Sequence, residues 1–278
     1  MLPSPYTQID LIDAFHWGLV SNSGGGPLET HIPVSELTLP AAIELLCIEQ
    51  HLCKSANTLG RLHSNQSRPW RLLKALNWPC CPPGSAVKDG GTRLMVLPRD
   101  SQDWQWTNFL QSLQRDLIQH GFPDNLSGAL TGAMGEMVDN VWEHSKTSIP
   151  GLAGYEVAHR RLDFAVADLG IGILQSIRRN PSYRFLNSSM EALQKAILRG
   201  VSRFRNQDRG YGFSTLLQSV AELWGFTRLR SSEAVLVFDR RTEKRRRLQK
   251  YLPPLPGVQI TVSCGLDGIG GRHRQFAP

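Results

Sequence analysis

No apolar run in the chain is long enough to span a bilayer, and the opening MLPSPYTQIDLID does not follow the basic-then-apolar order of a secretory signal. Those absences argue against transmembrane and exported classes, and the expectation is a cytoplasmic protein. Cysteine is scarce: five residues with no C-x-x-C pair, an odd count that suits reduced thiols better than a disulfide framework. Cys80 and Cys81 are adjacent, without the histidines or second cysteine pair that a zinc finger needs, so a structural zinc site is rejected. Aromatic residues make up only 8% of the chain, and none interleaves with the basic run from Asp239 to Lys250 as base stacking would require. There are no internal repeats.

What remains is an ordinary globular composition. The 278 residues are 41% hydrophobic and 20% charged, enough for one large domain or two small ones. Lys and Arg outnumber Asp and Glu by 31 to 24, a net charge of +7 that invites an anionic partner such as a nucleotide, a nucleic acid or an acidic protein. Much of the excess is local, in Arg240, Arg241, Lys244, Arg245, Arg246, Arg247 and Lys250. A solvated loop is the first reading of that segment, and nucleic-acid contact is the alternative.

Periodicity divides the chain near residue 100. Residues 1–100 read as a small α/β module, with a helix over Leu39–Leu62, a turn-rich linker over Asn77–Gly91 and a short strand in RLMVLP. Residues 101–278 read as a larger domain. It opens with an amphipathic helix capped at Ser101 and ended by Gly121, then a second helix entered through Pro123 and ended before Pro150. Two strands follow in Gly154–Ile173, joined by a basic turn, with Leu162, Phe164 and Val166 alternating as one core-facing side. Helices in SSMEALQKAILRGVSRF and GFSTLLQSVAELWG precede two closing strands, EAVLVFD and GVQITVSC.

Three short segments carry candidate chemistry. In GEMVDNVWEHS, Met134, Met137, Val138, Val141 and Trp142 make a buried stripe, and Asp139 and Glu143 point to solvent. Glu136, Asn140 and His144 recur every fourth residue along one flank, so an acid, an amide and an imidazole form a ladder. In VADLGIGI a strand runs into Asp168, an acceptor for a base amino group, and Gly170 and Gly172 let backbone approach a ligand. In DRGYGFSTLLQSV, Gly210 and Gly212 precede a helix whose free N–H groups suit phosphate, with Arg209 adding charge. Taken singly, each segment also reads as local hydrogen bonding, a glycine turn or a loose helix start.

In this order, DNVWEHS, ADLGIGI, LRGVS and the R-G-x-G box resemble the GHKL superfamily, the ATP-binding domain shared by gyrase B, histidine kinases, anti-sigma-factor kinases and MutL. The resemblance runs from Ser101 to the C-terminus and is nearest to stand-alone bacterial domains of this type. It implies a two-layer Bergerat-type α/β sandwich, with a mixed sheet and helices on one face. It also implies ATP and Mg²⁺ as cofactors: Asn140 on the metal, Glu136 as the base toward an attacking water or hydroxyl, and His144 on the phosphate side. Asp168 would take the adenine amino group, with Gly170 and Gly172 giving the base room. Ile173 to Arg209 would form a lid, and Gly210, Gly212 and Phe213 would complete the phosphate end. The family's closing Gly-Thr is Gly257-Val258 here, so a hydroxyl is missing, and Phe213 stands where leucine is commoner.

The implied function is Mg-ATP binding with slow hydrolysis or γ-phosphoryl transfer to a regulatory protein partner. None of His16, His31, His51, His63 or His120 lies in an H-E-x-x-x-P context, which disfavours histidine autophosphorylation and leaves a serine-kinase-like transfer. The alternatives are a non-catalytic ATP-gated switch, with SELTLPAAIELL resembling a STAS-like module, and a nucleic-acid-binding protein using residues 240–250. A homodimer is left open.

Overall fold

The computed structural model of the chain describes residues 10, 12–14, 16–18, 20, 37–52, 68–100, 102–199, 225–239 and 246–266. Its elements in chain order are α1 (Leu39–Leu52), α2 (Arg68–Leu76), β1 (Ala86–Asp89), β2 (Thr92–Val96), α3 (Trp104–Gln119) and α4 (Asp124–His144). There follow β3 (Leu152–Ala158), β4 (Arg161–Ala167), α5 (Gly172–Ile177), a 3₁₀ turn at Pro181–Tyr183, α6 (Ser189–Arg199), β5 (Phe226–Asp239) and β6 (Arg246–Gly265). The described residues between 10 and 20 are helical. The α/β class is as the sequence implies.

The strands form one six-stranded sheet in the order β1-β2-β3-β4-β6-β5. All five pairings are antiparallel, where a mixed sheet was expected. Strands on both sides of the expected boundary at residue 100 belong to this sheet, because Thr92–Val96 of β2 pairs with Leu152–Glu156 of β3. Part of the expected linker is itself a strand: Ala86–Asp89 pairs with Thr92–Met95, and Val87 packs against the core.

Helices cover both sheet faces rather than one. On the first face Leu162, Phe164 and Val166 of β4 join Ile260 and Val262 of β6 and meet Phe109, Leu113, Met134, Met137 and Val138 of α3 and α4. On the second, Ala165 and Ala167 meet Ile43, Leu46 and Cys47 of α1. The cause lies in α1, which is apolar on nearly every side: residues 39 to 48 are all buried, Glu44 among them, as suits a helix between a sheet and further helices. A sheet covered on both sides buries β4 almost throughout, so Leu162, Phe164 and Val166 are one apolar set of two.

Local signals account for the helix ends. α3 is capped by Asp103, whose carboxylate accepts the Gln105 N–H at 2.8 Å; the expected cap, Ser101, lies outside the described residues. Gly121, at φ +86°, follows its C-cap as expected. His159 and Arg160 form the basic turn between β3 and β4, both with positive φ as a tight hairpin turn requires. Arg246–Lys250 of the basic run pairs with Val235–Asp239 of β5 instead of forming a loop; residues 240–245 are outside the described set.

Candidate nucleotide site

The site is built where β4 ends and α4 ends. Asp168 follows Ala167, the last residue of β4. Its backbone N–H donates to the Val258 carbonyl at 2.9 Å, and its Oδ1 accepts the Gly170 N–H at 2.7 Å. The side chain is 3% exposed. Burial pushes the carboxyl up to about 7, against the Gly170 and Val258 backbone hydrogen bonds, which favour the ionised form.

Two glycines of the expected box are required by close approach. A β-carbon on Gly170 would stand 2.6 Å from Ser145 Cα and nearer still to the Ser145 carbonyl. That carbonyl accepts the Ile171 N–H at 2.8 Å, so the loop after Asp168 lies directly on the C-terminal end of α4. Gly172 has φ +72° and starts α5, and the Ile173 N–H donates to Ser231 Oγ at 2.9 Å. The ladder helix and the D-x-G-x-G loop are thereby in contact.

On the ladder, Asn140 is half-buried and its Nδ2 donates to the Glu136 carbonyl at 2.8 Å, which leaves Oδ1 as the amide's other atom. His144 is half-buried, with Nδ1 3.1 Å from Ser176 Oγ on α5. Glu136 is exposed on the same helix. Glu143, expected to face solvent, is half-buried, and its carboxylate lies 3.8 Å from His144 Nε2. Asp139 is exposed as expected. It borders a groove of about 410 Å³ between α3 and α4, lined also by Trp106, Leu110 and Thr131; that groove includes neither Asp168 nor the polar ladder.

The stretch expected as a lid is described in part. Residues 173–199 carry α5 and α6, and Met190, Leu193 and Ile197 of α6 belong to the main core. Their helical apolar spacing packs this side of α6 on the core. Arg209, Gly210, Gly212 and Phe213 lie outside the described residues, as does the rest of the expected lid.

Side chains that the local sequence did not single out support the site from β5 and β6. Ser231 Oγ donates to the Gly257 carbonyl at 3.2 Å, and Gln259 Nε2 donates to the carbonyls of Asp168 and Pro256, each at 2.9 Å. The β5–β6 register shifts between Ser231 and Ala234, and Ser232 has φ +54°. The residues of β6 without a register partner are 252–254 and 256–257, on either side of Leu255, and the prolines among them cannot donate to a ladder. This bulge delivers Gly257 to Asp168. The paired serines of β5 and the proline-rich LPPLPG of β6 were its visible signs.

Behind the sheet, a buried charged cluster fixes the 10–20 helix. Glu44 of α1 takes hydrogen bonds from Arg228 and Arg230, the latter at 2.8 Å, and Asp13 pairs with Arg228 at 2.7 Å. Arg230 also donates to His16 Nδ1 at 2.8 Å and to the Pro253 carbonyl at 2.7 Å. Lys250 of the basic run pairs with Asp10 and lies 3.7 Å from Asp13.

Among the described residues, no group of three or more His, Cys, Asp or Glu side chains forms a metal cage. Mg²⁺ held through nucleotide phosphates and waters needs few protein ligands, and an asparagine amide oxygen suits so hard a cation. Asn140 supplies an amide oxygen of that kind on α4.

Compared with family models, with curated proteins and with solved structures, the chain matches none. No helix among the described residues is long and apolar enough to cross a membrane.

Proposed function

We propose that the chain binds Mg-ATP at the junction of α4 and the loop after β4, and that it hydrolyses the nucleotide slowly or passes its γ-phosphoryl group to a regulatory protein partner. The GHKL resemblance supplies the reading. One observation carries it: motifs about thirty residues apart in sequence meet, with Gly170 and Ile171 against the Ser145 carbonyl beside His144. The β3–β4 hairpin, which pairs Leu152 with Ala167, returns the chain to the end of α4, and the glycine at 170 lets the two segments touch.

The roles follow from donor and acceptor chemistry. Asp168 accepts the exocyclic amino group of adenine, which favours its ionised form and makes it selective for a base carrying a donor there. Gly257 keeps a side chain clear of that carboxyl, while Gly170 makes room for Ser145 and Gly172 for Ser231. Asn140 Oδ1 would hold Mg²⁺, which neutralises phosphate charge when bound. His144 lies on the phosphate side, and Glu136, exposed on the same helix, accepts a proton from the attacking group.

A second reading, nucleotide binding without turnover, is favoured by the exposure of Glu136, since a base acts best when positioned. A ligand would then bias two conformations by its different affinity for each.

The test is titration of the full chain with ATP and with adenosine, with and without Mg²⁺, followed by tracking γ-labelled phosphate. Saturable ATP binding is expected, with Asn140→Ala losing its Mg²⁺ dependence but still binding adenosine. Absence of binding by the wild-type chain would overturn the proposal. Label on free phosphate indicates hydrolysis, label on a co-purifying protein indicates transfer, and bound but unconverted ATP supports the switch.

A further inference from the structure

Glu143, His144 and Ser176 stand in a row at the edge of the nucleotide site. The Glu143 carboxylate is 3.8 Å from His144 Nε2, and Ser176 Oγ is 3.1 Å from His144 Nδ1 on the ring's other side. Ser176 is 6% exposed and belongs to α5, which the Gly170–Ile171 loop sets against the end of α4. The hydroxyl is therefore held by packing, while the imidazole reaches it from the neighbouring helix.

A neutral imidazole carries one N–H, and its two nitrogens meet different neighbours here. A carboxylate only accepts, so the N–H is favoured on Nε2, the nitrogen facing Glu143. A serine hydroxyl donates as well as accepts, so its O–H satisfies the lone pair then left on Nδ1. The order also differs from an acyl-transfer triad, where the acid holds Nδ1 and the nucleophile Nε2. Here a buried hydroxyl occupies Nδ1, an orienting place rather than an attacking one.

We propose that Ser176 is a positioning residue: its hydroxyl donates to His144 Nδ1, holds the Nε2–H tautomer and aims that edge of the ring at the nucleotide phosphates. The phosphate part rests on the ATP reading above. The tautomer part stands on the geometry alone.

The test separates the two. Full-length protein with ¹⁵N-labelled histidine is examined at pH 8 without nucleotide, the His144 signals being assigned by their loss in His144→Gln. The wild-type ring should show one dominant Nε2–H tautomer, and Ser176→Ala should shift it toward a mixture. A dominant Nδ1–H tautomer in the wild type, or no change in Ser176→Ala, would overturn the tautomer assignment. Ser176→Ala should also bind ATP about 3- to 10-fold more weakly while adenosine affinity is unchanged, the scale of one hydrogen-bond contribution. Equal loss for ATP and adenosine would mark Ser176 as structural only. Wild-type protein that binds neither compound would remove the nucleotide reading and the phosphate role together, while the ring spectrum still decides the tautomer.

Discussion

A β-carbon on Gly257 would stand 2.7 Å from Asp168 Oδ1 and nearer still to the Asp168 carbonyl oxygen, and Gly257 itself has φ +79°. In sequence, the position drew notice because valine follows the glycine where a hydroxyl was expected. In the fold it is the absent side chain that leaves room for the carboxyl. Gly257→Ala meets both a left-handed backbone and a fixed oxygen, and a cost of about 1–3 kcal/mol is expected in denaturant unfolding. Its ATP affinity should drop at least about tenfold, the equivalent of some 1.4 kcal/mol, because the carboxyl must move. Wild-type affinity in that variant would show that the carboxyl is not the base-recognising group.

Asp168 also sets a pH dependence. Burial pushes its carboxyl up to about 7 from an ordinary 3.8, so between those values the folded chain keeps a proton that the unfolded chain has lost. Stability from this group is therefore full below about pH 4 and lost as pH rises through about 7. Asp168→Asn keeps an oxygen for the Gly170 N–H and cannot ionise. Relative to the wild type it should gain stability across that window, by at most on the order of 4 kcal/mol at pH 8. It should lose ATP binding as well, since the amide that replaces the second oxygen is a donor facing the adenine donor. Denaturant unfolding at pH 4.5 and pH 8 checks the first claim, and ATP titration the second. An equal stability difference at both pH values would refute the buried ionisation.

The site was legible where it is local. Four-residue spacing put Glu136, Asn140 and His144 on one helix flank, and a strand punctuated by glycines placed Asp168 at its end. What escaped was anything whose partner is remote. Ser176, Ser231 and Gln259 have no periodic signature, and their roles come from elements that fold against the site. Glu143 looked solvated on a lone helix because the wheel cannot include His144's turn toward α5. In residues 189–199 the apolar spacing of MEALQKAIL signalled the helix that is found there, packed on the core. The second sheet face could have been anticipated from α1, whose apolar residues from Leu39 to Ile48, broken only by Glu44, have no place on a solvent-facing layer.

Glu44 joins Arg228 and Arg230 in a place where all three are 1% exposed or less. Burial opposes its ionisation, yet the two guanidiniums hold its carboxyl below the ordinary value. Glu44→Ala would leave two buried cations short of an acceptor, a loss of about 3–5 kcal/mol for breaking such a set. Adding Arg228→Met and Arg230→Met to that change should recover part of the loss, because the unpaired charges go with it. Denaturant unfolding of the single and triple variants measures the difference. A triple variant that loses the sum of the individual costs would show that the cluster is not coupled.

His16 gives the opposite pH slope from Asp168. Burial, with Arg230 beside it, pushes its imidazole down to about 4 from 6.5, and the Arg230 donation to Nδ1 requires that nitrogen to be unprotonated. Below pH 6.5 the unfolded chain takes up a proton that the folded chain refuses until about pH 4. Stability from this residue is thus present above pH 6.5 and lost as pH falls toward 4, by up to on the order of 3 kcal/mol. His16→Gln can still accept from Arg230 through its amide oxygen but does not titrate, so it should unfold less readily than the wild type relative to neutral pH as acid is added. Because the two groups titrate in overlapping windows with opposite sign, the wild-type profile hides both. Combining His16→Gln with Asp168→Asn should restore a profile close to the wild type, whereas each single variant tilts it in its own direction. Parallel profiles for all four proteins between pH 4.5 and pH 8 would exclude both ionisations as the source.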